Sequence, residues 1–258
     1  MAAPLPCPIY VINLDGSDAR LRSAEAQITQ AGLRFTRFSA VDGRGKALSA
    51  FPEYDPQQTW RKFGRDMTSG EVGCYLSHLS VAQRLLDSDA AAALVLEDDF
   101  AAKAGAWDQV ALTLKTLQRS CDGWELVNLG RAPTSLRRPI TPPLYRAPYF
   151  PVTTTALLWS RDGARRFVQQ AARPSGPVDH ILRRLMCESG QGFALDPAPF
   201  ETIQADSDIS AASDVPPERM GLQARGGHRR RRQAEIWRQG TNFALALRTR
   251  LRGPRDMT

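Results

Sequence analysis

The sequence predicts an α/β protein built on a mainly parallel sheet flanked by helices. Short β-branched runs alternate with helical periodicities along most of the chain. The opening reads strand–helix–strand, a unit that favours parallel strands joined by a crossover helix. At 258 residues, 42% hydrophobic and 24% charged, the chain can bury one substantial core, and it has no apolar run long enough to span a bilayer.

Taken in order, residues 8–14 (PIYVINL) form the first strand. Ser17 or Asp18 caps a helix in which Leu21, Ala24, Ile28 and Ala31 recur at helical spacing, and Gly32 stops it. Residues 33–41 read as a second strand ending at Asp42-Gly43. Residues 43–67 show little periodicity and are expected to be an irregular surface segment. A helix resumes after Thr68 or Ser69 with Val72, Leu76, Leu79, Gln83 and Leu86 along one side. Glu71 in its first turn suits the helix dipole, and Gly73 would let the helix approach the sheet closely. Residues 91–96 (AAALVL) are a buried strand, 104–119 a helix, and 124–130 (WELVNLG) a further strand.

Residues 131–151 contain six prolines and are excluded from helix and from central sheet. A connection this long inside a compact domain is either functional, as a lid over a bound substrate, or disordered. Residues 152–160 return to strand, and 162–172 and 178–188 to helix. Beyond residue 208 the pattern gives way to Ser, Ala, Pro and Gly, and then to arginines.

Charge divides the chain into a near-neutral body, residues 1–218, and a basic tail, residues 219–258. The tail carries eleven arginines against Glu235 and Asp256, or +9, so the rest of a chain of net +7 carries 7 − 9 = −2. Cys7, Cys74, Cys121 and Cys187 are scattered without close pairs, which argues against a zinc site or a disulfide framework and fits a reducing cytosol. The first residues lack a basic leader with an adequate apolar run, so a cytoplasmic location is expected.

The most informative stretch is LVLEDD, residues 94–99, where an apolar strand ends in three carboxylates. In open α/β sheets the ligand crevice lies beyond the carboxyl ends of strands. Crowded carboxylates resist ionising together, and a hard divalent cation relieves that repulsion. The alternative for the hexapeptide alone is a solvated turn or helix cap.

With its neighbours the stretch says more. VINLDGSDAR (residues 11–20), AVDG (40–43), GEVGCYLSH (70–78), LVLEDD, PVDHIL (177–182) and SDI (207–209) follow one another along the chain. In this ordered set the sequence resembles glycosyltransferase family 25, the lipooligosaccharide galactosyltransferase group, over roughly residues 8–210. The resemblance implies a GT-A-type, Rossmann-like fold whose first half binds the nucleotide. It also implies a UDP-sugar donor, Mn²⁺ (or Mg²⁺), inversion at the anomeric carbon, and transfer of a hexose, galactose by resemblance, to a lipooligosaccharide or other glycan.

Carried over residue by residue, Val11, Asn13 and Leu14 sit where the first strand meets the nucleotide, and Arg20 is a partner for the diphosphate or the acidic loop. Asp42 touches ribose or closes its turn with Gly43. Ser77 and His78 are donor-site residues, although neighbours on a helix do not point the same way. Glu97 and Asp99 form a D-x-D-like pair: Asp99 is the main metal ligand, Glu97 a ribose or water-mediated metal contact, and Asp98 lies behind them. Asp208 would complete the metal site. Asp179 is the first choice for the base that takes the acceptor proton, with a helix cap as its alternative, and His180 ranks behind it. Gly16-Ser17 stand where the family has basic residues, and Leu157 where many relatives carry tyrosine, which leaves the acceptor open.

In the tail, Ile236, Gly240, Phe243, Leu247 and Leu251 fall near one helical face with arginines elsewhere. A basic amphipathic helix reads as a binder of anionic membrane surfaces, which would place the protein peripherally on the inner face of the membrane. The competing readings are a tail packed on the domain and a solubilising extension. The near-neutral body offers no extended basic surface for nucleic acid. Two other functions remain: a non-catalytic nucleotide-sugar-binding protein of the same fold, and another sugar-nucleotide enzyme. The latter normally needs a glycine-rich phosphate loop after the first strand, and NLDGSDAR is not one.

Overall fold

The computed structural model describes residues 5–203 and 217–251, and the side chains of these except residues 217–228. An eight-stranded sheet runs in the order β2-β1-β3-β8-β5-β9-β7-β6. Its parallel part joins β1 (Ile9–Asn13) to β2 (Thr36–Ser39) on one side and to β3 (Ala92–Glu97) on the other. Beyond β3 the direction reverses. β8 (Ala156–Ser160) runs antiparallel to β3 and to β5 (Leu126–Asn128), while β9 (Gly192–Leu195) is parallel to β5. The sheet is therefore mixed rather than mainly parallel, because β8 enters its centre without a crossover that would keep it aligned with β3.

Strands β1 and β3 are buried on both faces, which accounts for their unbroken apolar runs. Tyr10, Ile12, Ala93 and Val95 join a core with α3 (Ser69–Leu86), α5 (Arg161–Gln170) and α6 (Val178–Ser189). Ile9, Val11, Leu94 and Leu96 face the opposite layer, where α1 (Asp18–Gln30) and α4 (Ala106–Ser120) pack. After β3 the chain turns at Asp98-Asp99 into β4 (Phe100–Ala102), which pairs with β10 (Phe200–Thr202) as a separate small sheet.

Three segments differ from the sequence reading. The stretch expected to be irregular contains α2 (Pro56–Phe63), with Asp55 accepting the Gln58 N–H at 2.9 Å, Pro56 in its first turn and Gly64 closing it at φ 64°. That is a full set of start and stop signals, overlooked because eight residues show little periodicity. The proline-rich stretch is a hairpin, β6 (Arg138–Thr141) and β7 (Leu144–Arg146), on the sheet edge. Its prolines exclude it from the centre and not from the rim. In α3 the buried side is Val72, Tyr75, His78, Val81, Ala82 and Leu85, while Gln83 is exposed.

The final helix, α7 (Pro217–Leu251), packs on α6 and α2. Its docking face is small and polar, with Asn242 and Ala246 buried and Arg238 over the Phe63 ring at 4.3 Å. Most of the apolar stripe read from the sequence points the other way, with Ile236 62% exposed and Leu251 78%, while Phe243 meets the Tyr149 ring edge-on at 5.8 Å. Among the described residues no helix is long and apolar enough to cross a membrane.

Candidate functional site

Parallel pairing brings the carboxyl ends of β1, β2 and β3 to one edge, and a cleft opens there. Leu14, Arg20, Val41, Gly43 and Arg44 line it from the first half of the chain, and Glu97, Asp98 and Asp99 close it. The helical wall is α3, which contributes Gly70, Cys74, Ser77 and His78. Its start is held by a reciprocal cap, in which Thr68 Oγ1 accepts the Glu71 N–H at 3.1 Å and Glu71 accepts the Thr68 N–H at 2.8 Å. Arg65 grips the same Glu71 carboxylate with two bonds of 2.6 Å.

Gly73 seats this wall. A Cβ there would meet Val41 O at 2.4 Å, and one on Gly43 would meet Ser69 O at 2.0 Å. The close approach is thus to the Val41–Gly43 turn rather than to the body of the sheet. Ser77 tightens it by accepting the Val41 N–H at 2.8 Å and donating to Gly73 O at 2.7 Å.

The three acids have different surroundings. Glu97 Oε1 accepts from Thr154 Oγ1 at 2.8 Å and lies 3.0 Å from His78 Nε2, with Cys74 Sγ at 3.7 Å. Burial works to raise the Glu97 carboxyl, but the hydrogen bond and charge of His78, with the bonds from Thr154 and Cys74, hold it below its ordinary value. Asp98 is buried, accepts from Asn13 Nδ2 at 2.7 Å and from Arg20 at 3.4 Å. Asp99 has Arg20 only at 3.9 Å, and its Oδ1 is buried without a hydrogen-bond partner among the described residues. Burial, reinforced by the charge of Glu97, pushes Asp99 up to about 7.

Other residues singled out from sequence take different places. Val11 is fully buried in the core and Asn13 holds Asp98 and Arg37, the latter at 2.8 Å, so neither lines the cleft. Strand alternation turns their neighbours Ile12 and Leu14 to it instead. Asp42 closes its turn by accepting from the Arg44 N–H at 2.9 Å and pairing with the Arg44 side chain, again outside the lining. Both Ser77 and His78 border the cleft although adjacent on the helix. Asp208 lies outside the described residues.

Asp179 lies inside the first turn of α6, one residue beyond the helix start, and Pro177 occupies the cap position. It is not a helix cap; its Oδ1 accepts the neighbouring His180 N–H at 2.7 Å. It does not border the cleft, yet its carboxyl is raised by burial and then by the charges of Glu97 and Glu71. Burial and the nearby charges of Arg238, Arg183 and Arg65 push His180 down to about 4, so its imidazole is neutral at pH 7.

Cys74, Thr154 and Arg44 join the site without having been singled out from sequence. Arg44 had a signal, a cation directly after Asp42-Gly43. Cys74 and Thr154 had none, since only the fold brings them to Glu97. The donor atoms of Cys74, His78 and Glu97 lie within 4.8 Å of one another. The cluster holds itself together by hydrogen bonds around one carboxylate oxygen, so it fixes where Glu97 sits. Asp99, with an unsatisfied buried oxygen and two further carboxylates beside it, has the donor chemistry for a hard divalent cation.

Residues 7–125 match the family described as Glycosyltransferase family 25 (LPS biosynthesis protein). The chain is similar to a Glycosyltransferase 25 family member of Aedes aegypti, 32% identical over 127 residues, covering 48% of this chain and 21% of the relative. Procollagen galactosyltransferase 2 of Homo sapiens is 30% identical over 195 residues, 67% of this chain and 29% of the relative. Inactive glycosyltransferase 25 family member 3 of Homo sapiens is 28% identical over 188 residues, with 67% and 31% covered. The chain therefore spans less than a third of the length of these curated relatives.

Proposed function

Residues 7–125 assign this chain to glycosyltransferase family 25, and on that premise we propose that it is a GT-A-type, inverting hexosyltransferase using a UDP-sugar, with galactose as the first candidate. The observation that carries this is the cleft at the ends of β1 and β3, where Glu97, Asp98 and Asp99 face Arg20 and Arg44. Arg20 and Arg44 offer the positive charge for a diphosphate that Gly16-Ser17 lack. Leu14 and Val41 give an apolar flank for the base.

Asp99, with Glu97 beside it, would hold Mn²⁺ or Mg²⁺. Such a cation supplies charge neutralisation for the departing diphosphate. His78 and Thr154 keep Glu97 ionised and oriented, and Arg20 balances Asp98. Asp179 would take the proton from the attacking acceptor hydroxyl, its raised carboxyl being the better base for it.

Calorimetric titration of UDP with and without Mn²⁺ tests the reading. Mn²⁺ is expected to tighten UDP binding to the wild type, and Asp99→Ala to lose at least tenfold of that gain, about 1.4 kcal/mol. A folded protein that binds no UDP under either condition would overturn it. A second reading, nucleotide-sugar binding without transfer, draws on the human relative named inactive. Hydrolysis of a UDP-hexose by the wild type and not by Asp99→Ala would reject it.

The acceptor would be a glycan or lipid-linked oligosaccharide, reached from an anionic membrane surface through the outer face of α7. Ile236, Phe243, Leu247 and Leu251 are exposed along that face, flanked by the exposed Arg232, Arg248 and Arg250. Apolar insertion and cationic flanks complement an anionic bilayer, at about 1 kcal/mol per basic residue. Flotation with vesicles containing phosphatidylserine should recover the protein, whereas phosphatidylcholine vesicles or an Ile236→Glu/Leu251→Glu variant should not. Equal recovery in all three would reject the membrane contact.

A further inference from the structure

A second and larger cleft lies between α2, α6 and α7, about 580 Å³ against about 100 Å³ at the carboxylate cleft. Its size is that of small-molecule sites. Among the described residues four cations reach it, Lys62, Arg173, Arg184 and Arg238, against one lining acid, Glu188. Carboxamides accompany them: Gln58, Gln169, Gln170 and Asn242. The indole of Trp237, 67% exposed, forms part of the rim.

Asn242 is the telling residue. It is only 2% exposed, and its Oδ1 is buried with no hydrogen-bond partner among the described residues. A buried acceptor left unmatched is destabilising, and here it borders the cleft. The cations are also held together against their repulsion. Lys62 Nζ donates to Ser175 Oγ at 3.0 Å, and burial together with the charge of Arg184 holds it below its ordinary value. Arg184 pairs with Glu188 and Arg238 sits over Phe63. Arg173 is exposed at the mouth.

We infer that this cleft is a binding site for an anionic saccharide, a sugar carrying a phosphate or a carboxylate, separate from the nucleotide cleft. Carboxamides match the paired donor and acceptor character of sugar hydroxyls. A hydroxyl donating to Asn242 Oδ1 satisfies the orphan acceptor. Lys62, Arg173 and Arg184 match the anion, and Trp237 offers a flat apolar surface for a pyranose ring. The site stands on its own geometry; only identifying its ligand with the acceptor rests on the transferase reading.

The test is saturation-transfer NMR on the full chain without nucleotide. The probes are a disaccharide phosphate monoester, the corresponding uronic-acid disaccharide and the uncharged parent. Both charged sugars are expected to bind at least tenfold more tightly than the parent. Binding of only one identifies the anion. Trp237→Ala and the Lys62→Gln/Arg173→Ala pair should each weaken charged-sugar binding at least tenfold, with UDP binding and melting temperature unchanged. Equal binding of the parent, no binding of any probe, or binding that survives both variants would overturn the site. UDP titrations run in parallel report on the transferase reading separately.

Discussion

Replacing Asp179 by Asn is expected to slow hexosyl transfer by about 10²–10⁴-fold, the range for loss of a positioned base, while leaving Mn²⁺-dependent UDP binding within about twofold. The asymmetry follows from placement. Asp179 stands on α6, outside the lining of the carboxylate cleft, so the nucleotide does not depend on it. It is still near enough that the charges of Glu97 and Glu71 raise its carboxyl, after burial has done most of the raising. Asn keeps the shape and can still accept the His180 N–H, so the fold should hold.

The pH profile is the sharper readout. Transfer requires the carboxylate, so activity should fall as pH drops through the raised pKa of Asp179. The acidic limb of kcat/KM should therefore lie above the ordinary carboxylate range and disappear from the residual activity of the Asn variant. Loss of UDP binding in that variant, or an unchanged rate, would remove Asp179 from the base role. His180 is a poor substitute, because its neutral ring is pushed down to about 4 and it faces the cationic cleft instead.

The second large effect is on the fold. Gly73→Ala should destabilise the protein by about 3 kcal/mol, the upper end of the range for overpacking, and lower Tm by about 6–12 °C. The added carbon would lie 2.4 Å from Val41 O and 3.1 Å from Gly43 N. Both are backbone atoms that no rotamer change can clear. Val41 and Gly43 also line the cleft, so α3 must back away and UDP affinity should drop with stability. Gly240→Ala is the control. It sits within α7 with nothing within 4 Å of the new carbon, and should stabilise by about 0.5–1 kcal/mol through helix propensity. Differential scanning calorimetry of the two variants should give shifts of opposite sign. Equal melting of Gly73→Ala and wild type would mean that the Val41–Gly43 turn yields freely.

Local chemistry made part of this protein legible from its sequence. The apolar run of β3 ending in Glu97-Asp98-Asp99 announced a strand with acids at its carboxyl end, and Thr68 or Ser69 followed by Glu71 announced the start of α3. The apolar stripe of α7 was likewise visible as a period. Each of these is written into neighbouring residues. Which way β8 runs was not, because a strand's composition is the same in either direction, and so the mixed sheet emerged only in the fold. Nor could sequence say that Leu14 rather than Asn13 faces the cleft: a strand buried on both faces has no alternation to read. The edge hairpin hid behind its prolines.

Contacts between distant segments lay further out of reach. Cys74 and His78, one turn apart on α3, meet Glu97 and the distant Thr154 only in the folded chain. The docking side of α7, built on Ala246 and Asn242, carries no hydrophobic signal, so its cleft against α2 and α6 was invisible until those helices were in place. Periodicity and capping are short-range physics and the sequence by itself determined them; direction, facing and convergence depend on which surfaces are buried together, and only the tertiary structure decided those.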